Sequence, residues 1–255
     1  MSVTPNFNRF DLLSFEIRVH LDPQLLSNPD EIDSSKLNRK RLKKYSDLIH
    51  TMMMAFKKVQ KYELYFSKFY PSTEEISESE ALEHHVHAYL QDLTILSNKI
   101  EVFLNILKSD LKQVAPNKDE VCASIDEVKK LMMKTFKRVK ETRHPHQHAG
   151  YRFLDYDITR ASSIRSMIQS GNKLFLDRLK PGALDYLDKE AAKSFEKAKA
   201  YYIERAKKNE EGLSKLMERF FWSIEDLIYQ FLGIKPVISG KIKTLPPKPK
   251  LKAKK

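Results

Sequence analysis

Apolar residues recur at spacings of three and four along most of this chain. Leu42, Tyr45, Leu48, Ile49, Met52, Phe56 and Val59 share one face of a 3.6-residue period, which predicts a helix across 34–70. Pro29, with Asp30, Glu31 and Asp33, supplies the start signal for it, since proline suits a first helical position and acids suit a helix N-terminus. The polar run 71–80 begins a second helix, with Ser72 or Thr73 as cap. That helix runs to about Val114 with Leu90, Leu93, Leu96, Ile100, Phe103, Leu104 and Leu107 inward. A turn at "APNK", with Asn117 as cap, opens a third over 118–142, which turns Val121, Ile125, Val128, Leu131, Met132, Phe136 and Val139 inward. Pro145 disfavours helical geometry at His144, so the third helix is expected to end or kink there.

A fourth helix starts near Asp155 or Asp157, and "KPG" at 180–182 breaks it. The fifth begins near Ala183, carries Tyr186, Leu187, Phe195, Ala198, Tyr202, Leu213, Leu216, Phe220, Ile224, Leu227 and Phe231 inward, and stops at Gly233. The first thirty residues stay open between a short strand and a helical turn. Aromatic groups at 62–70 and 220–222 belong to the core or to a protein-binding surface. The fold expected is an all-α antiparallel bundle of about five long helices. Its segments are an N-terminal extension with one long helix (1–73), a helical core (74–180), a C-terminal long helix packed on that core (181–239), and a disordered basic tail (240–255). The tail has seven lysines, three prolines and no acid.

Charge narrows the function classes. The formal net charge is +12, which points to a polyanionic partner, although much of it lies in the tail. Six glycines, none clustered, exclude a glycine-rich phosphate loop. Cys122 stands alone, so neither an intramolecular disulfide nor a cysteine zinc site is available, and a cytoplasmic setting fits. Polar and charged residues interrupt the first twenty positions, so no signal peptide is expected, and no apolar run is long enough to span a membrane.

Six of the eight histidines fall in two clusters, His84–His85–His87 and His144–His146–His148. Brought together on neighbouring helices they could bind a metal, although no H-E-x-x-H or Glu-x-x-His spacing accompanies them. The second cluster follows Arg143 directly, in "RHPHQH". A permanent planar cation beside groups that titrate near neutrality suits work on a phosphate.

The same stretch resembles the R-polar-x-x-x-H motif of the HEPN superfamily, with Arg143 and His148 as its ends and His144 where that family most often has asparagine. The resemblance covers about 81–180. It implies an RNA-directed, all-α domain whose motif follows a long helix of an antiparallel bundle, and which pairs as a homodimer. It further implies a metal-independent endoribonuclease needing no cofactor, of the toxin or antiviral-defence kind, with an antitoxin or regulatory partner. Arg143 would stabilise charge on the phosphate, and His148 would move the proton of a ribose 2′-hydroxyl. A second acid–base group is needed: a dimer-related His148, His144 or His146. Arg138, Lys140, Arg152, Arg160 and Arg165 would hold the backbone, and Tyr151 and Phe153 would stack on bases. Two alternatives remain: a non-catalytic helical module that binds protein or nucleic acid, and a metal-binding bundle built on the histidines.

Overall fold

The computed structural model describes residues 9–32, 37–70, 76–148, 155–170 and 178–237. Every regular element among them is helical: α1 (Arg9–Leu21), α2 (Arg39–Val59), α3 (Tyr62–Lys68), α4 (Glu78–Val114), α5 (Lys118–His148), α6 (Tyr156–Gln169) and α7 (Ala183–Leu232). The expected helical bundle is therefore present, and no described helix is long and apolar enough to cross a membrane. The tail 240–255 and the expected caps Ser72 and Thr73 lie outside the described residues.

Several boundaries differ from expectation. Pro29 does take a first-turn position, but of a single 3-10 turn, Pro29–Glu31, and α2 begins only at Arg39. There Asn38 caps, its Oδ1 accepting from the Arg41 N–H at 3.0 Å. Its helix also stops at Val59, where a long one to 70 was expected, and α3 follows after a turn at Gln60 and Lys61. For α4 the start is a capping box one turn later than expected. Ser77 Oγ accepts from the Glu80 N–H at 3.2 Å, and Glu80 Oε2 accepts from the Ser77 N–H at 2.8 Å. The bond from the Ser77 N–H, and after it the Ser77 hydroxyl, hold the Glu80 carboxyl below its usual pKa. At α7 both ends match: Gly182 and Gly233 hold φ of +80° and +68°, which glycine adopts at little cost.

The chain divides into two compact units that cut across the sequential segments read from the pattern, because α2, α4, α5 and α7 each contribute to both. The first comprises Met1–Met54, Ser97–Lys134 and Leu213–Lys255. In it Lys108 reaches Asp126 and Lys129 reaches Glu101, so residue numbers rise on α5 as they fall on α4, and the two helices are antiparallel. Tyr45, Phe103, Phe220 and Phe231 fill its interior, with Tyr45 edge-on to Phe103 at 6.1 Å and 5.5 Å from Phe231.

The open N-terminal segment resolves as α1, which is buried at nine of its thirteen positions. A helix covered nearly all round shows no one-sided stripe, which is why periodicity alone could not assign it. Phe10 stacks on Phe221 at 4.4 Å, Arg9 is ion-paired to Glu225, and the fully buried Glu16 accepts from the Val237 N–H at 2.9 Å. Buried charges persist when each meets an opposite charge or a donor.

The second unit comprises Ala55–Leu96 and Thr135–Gly212. Tyr62, Phe66, Tyr89 and Tyr202 form its aromatic centre, with Tyr62 4.8 Å from Tyr89 and Phe66 5.6 Å from Tyr202. Asp155 caps α6 as expected, its Oδ1 accepting from the N–H groups of Asp157 and Ile158, while Oδ2 accepts from the Tyr202 hydroxyl at 3.0 Å. Asp157 pairs with Lys197 and Arg160 with Glu190, so α6 and α7 are antiparallel. Two positions expected inward are not: Leu131 is 57% exposed and Tyr186 62%. At 100° per residue Leu131 stands about 100–140° round the axis from the buried Ile125, Met132 and Phe136, and Tyr186 about 140–180° from the buried Ala191 and Phe195, so both face away from the buried stripe.

Candidate functional site

The backbone of α5 stays helical through Pro145 to His148, where the sequence predicted an end or a kink. Proline removes one donor, so the Glu141 carbonyl loses its partner four residues on, at a cost of about 3 kcal/mol that a 31-residue helix can absorb. Positions 144 and 148, four apart, therefore share a helix face, whereas 143 and 148 stand about 140° apart around the axis. The side chains of Arg143, His144, His146 and His148, and those of Arg138 and Lys140, lie outside the described residues, as do Tyr151, Arg152 and Phe153. Glu141 sits 3.5 Å from Lys137 in an exposed ion pair.

Of the expected backbone-holding arginines, two are described, and both are engaged within the second unit. Arg160 donates to Glu190 at 2.6 Å. Arg165 lies 3.5 Å from Glu78, with its guanidinium 5.7 Å from the centre of the Phe195 ring.

The histidines of α4 do not converge on a common point. His85 donates through Nε2 to the Phe69 carbonyl at 2.6 Å, satisfying the end of α3, and lies against Tyr65 and Tyr70. His87 stands 3.7 Å from Glu83, one turn back. Among the described residues no group of three or more side chains gathers to hold a metal ion.

A different cluster emerges in the first unit. The opening of α2 reads "RKRLKK", five cations in six residues, and among the described α-helices it is the one with no acid in its first turn. Cations at a helix N-terminus oppose the macrodipole, by about 0.3–1 kcal/mol each. Arg39, Lys40 and Lys43 are exposed, and no ion pair within the described residues engages them.

Beside this cluster lies a cavity of about 370 Å³ between α2, the last turns of α4 and the end of α7. Lys40, Arg41 and Lys44 line it against one carboxylate, Asp110, with Asn38, Gln113, Val114 and Phe231 completing the wall. Arg41 donates to the Phe231 carbonyl at 3.2 Å and lays its guanidinium 4.3 Å from the centre of that ring. Lys44 donates to Asp110 Oδ2 at 2.7 Å, and the Tyr45 hydroxyl donates to the same oxygen at 3.1 Å. Burial, then the charge of Asp110, pushes the Tyr45 pKa well up, so this hydroxyl remains a donor at neutral pH.

None of these residues was singled out from the sequence as a site residue; Tyr45 and Phe231 stand there only as inward positions of their helices. The signal was available in the basic run at a predicted helix start, but the walls from α4 and α7 come from more than sixty positions away. No family model matches this chain, and neither a curated protein nor a solved structure shows detectable similarity to it.

Proposed function

We propose that this chain is an RNA-directed helical protein that holds the phosphodiester backbone on the basic opening of α2. The observation that carries the reading is the set of cations Arg39, Lys40 and Lys43, without an ion pair among the described residues, beside a cation-lined cavity. Three positive charges in the first turn, Arg39, Lys40 and Arg41, kept where the helix dipole disfavours them, with Lys43 and Lys44 directly after, suit a surface whose partner supplies the anions. The net charge of +12 favours a polyanion, and the resemblance of "RHPHQH" to the HEPN motif favours RNA among polyanions.

The test is the salt dependence of single-stranded RNA binding, followed by fluorescence anisotropy. Each phosphate contact contributes about −0.7 to the slope of log K against log salt. Replacing Lys40 and Lys43 together by Ala should flatten the slope by about 1.4 units without changing the unfolding midpoint. An unchanged slope would remove α2 from the interface.

The second reading makes the chain a metal-independent endoribonuclease that works as a homodimer through Arg143 and His148, with His144 as a further acid–base group. It is supported by the antiparallel α4–α5 pair, two long helices joined by a three-residue turn, whose second helix ends in the motif. On this reading the chain is a toxin or defence effector of the cytoplasm, with an antitoxin or regulatory protein as partner. RNA cleavage should persist in excess EDTA and leave 2′,3′-cyclic phosphate ends. Arg143→Ala or His148→Ala should each cost about 10²–10⁴-fold in rate. Cleavage that survives the double substitution refutes this assignment and leaves the binding reading standing.

A further inference from the structure

The cavity beside α2 has the chemistry of more than a phosphate site. Asp110 places two donors, Lys44 and the Tyr45 hydroxyl, on its Oδ2 alone. Oδ1 has no partner among the described residues, and the side chain keeps 21% of its surface exposed. A carboxylate oxygen left open in a cation-lined cavity accepts N–H donors and repels anions. A plain phosphate would satisfy the lysines and leave this acceptor to water.

The remaining walls have a matching geometry. The Arg41 guanidinium carbon lies 4.3 Å from the centre of the Phe231 ring, and a planar guanidinium is a group on which a base can stack. Gln113, three residues after Asp110 on α4, adds an amide donor and acceptor to the same helix face. A volume of about 370 Å³ falls at the small end of ligand pockets, which begin near roughly 300 Å³.

We infer that this cavity is a single-nucleotide subsite for an amine-bearing base, with the base stacked on Arg41, its exocyclic amine donating to Asp110 Oδ1, and its phosphate on Lys40. The inference rests on the RNA-directed reading and gives it a preference. Cytosine, adenine and guanine each carry an exocyclic amine, N4, N6 or N2, whereas uracil carries none and sets a carbonyl oxygen, which a carboxylate rejects, where cytosine has its amine. Such a contact discriminates between bases by about tenfold.

The experiment is calorimetric titration of the full chain with cytidine, adenosine and uridine monophosphates and with inorganic phosphate. Cytidine and adenosine monophosphates should bind about tenfold more tightly than the uridine compound or phosphate. Asp110→Asn should erase the difference between cytidine and uridine monophosphates while leaving phosphate affinity in place. Lys40→Ala, at an exposed position, should weaken all four ligands. Because the comparison of nucleotides on the unaltered chain needs no variant, a folding defect in Asp110→Asn cannot mask the answer. Equal affinity for all four ligands, or binding of none, overturns the subsite. If RNA binding still loses salt dependence on replacing Lys40 and Lys43, the RNA-directed reading survives that failure. If it does not, that reading falls on its own test.

Discussion

Asp92 offers the sharpest test of how the second unit is held. It lies on α4, 4% exposed, and accepts from the Tyr62 hydroxyl at 2.5 Å and from Lys58 Nζ at 2.9 Å. Its two partners differ in worth. Lys58 is 60% exposed, so water replaces Asp92 readily and the pair contributes about 0–1 kcal/mol. The Tyr62 hydroxyl is buried with its ring, and a hydrogen bond to a charged acceptor contributes about 1.5–3 kcal/mol. Tyr62→Phe should therefore cost about 2 kcal/mol. Asp92→Ala should cost more, about 3–4 kcal/mol, because it also strands the hydroxyl away from water. With both replaced, no orphan remains, and the double variant should be no less stable than Asp92→Ala. The coupling energy from urea unfolding, followed by helical ellipticity with m unchanged, should then be about 2 kcal/mol. A coupling below about 0.5 kcal/mol would mean that the two side chains act independently, and the Tyr62–Asp92 bond would not be what joins α3 to α4.

Two further outcomes follow from the same packing. Burial first, and then the neighbouring Asp110, Asp92 and Asp155, raise the pKa values of Tyr45, Tyr62 and Tyr202. Their contribution to stability is full below the unfolded tyrosine value of about 10 and is lost as pH rises through the folded values. In alkaline titration the last tyrosinate absorbance should accordingly appear together with loss of helical ellipticity, and titration of all eleven tyrosines with the helices intact would refute this. Gly233→Ala should cost about 1 kcal/mol, measured by thermal unfolding. Gly233 ends α7 with φ of +68°, its N–H donating to the Gln230 carbonyl and that of Ile234 to Tyr229, while an added Cβ would touch nothing within 4 Å. The cost is thus one of backbone conformation alone, and a neutral result would deny the left-handed cap.

Beyond the first thirty residues, which it left open, the sequence by itself determined the helical segments and most of their apolar faces. Leu42, Tyr45, Ile49, Met52 and Phe56 on α2, and Leu93, Leu96, Ile100, Phe103 and Leu107 on α4, are buried as their spacing requires, because a 3.6-residue period leaves a helix one face to hide. It also marked the stops that rest on local chemistry, such as the glycine after α7 and the aspartate before α6. Tertiary structure decided the rest. Nothing local breaks the helix at Gln60 and Lys61; beyond the turn Tyr62 meets Asp92 and Phe66 packs against Tyr89 and Tyr202. Arg9 and Glu16 are polar in any sequence pattern, and they are buried only because Glu225 and the Val237 amide come to meet them. The candidate site divides the same way. Its cations are adjacent in the chain and legible there, whereas Asp110 and Phe231 join them only when three helices pack, since periodicity fixes the face of a helix and says nothing of its neighbour.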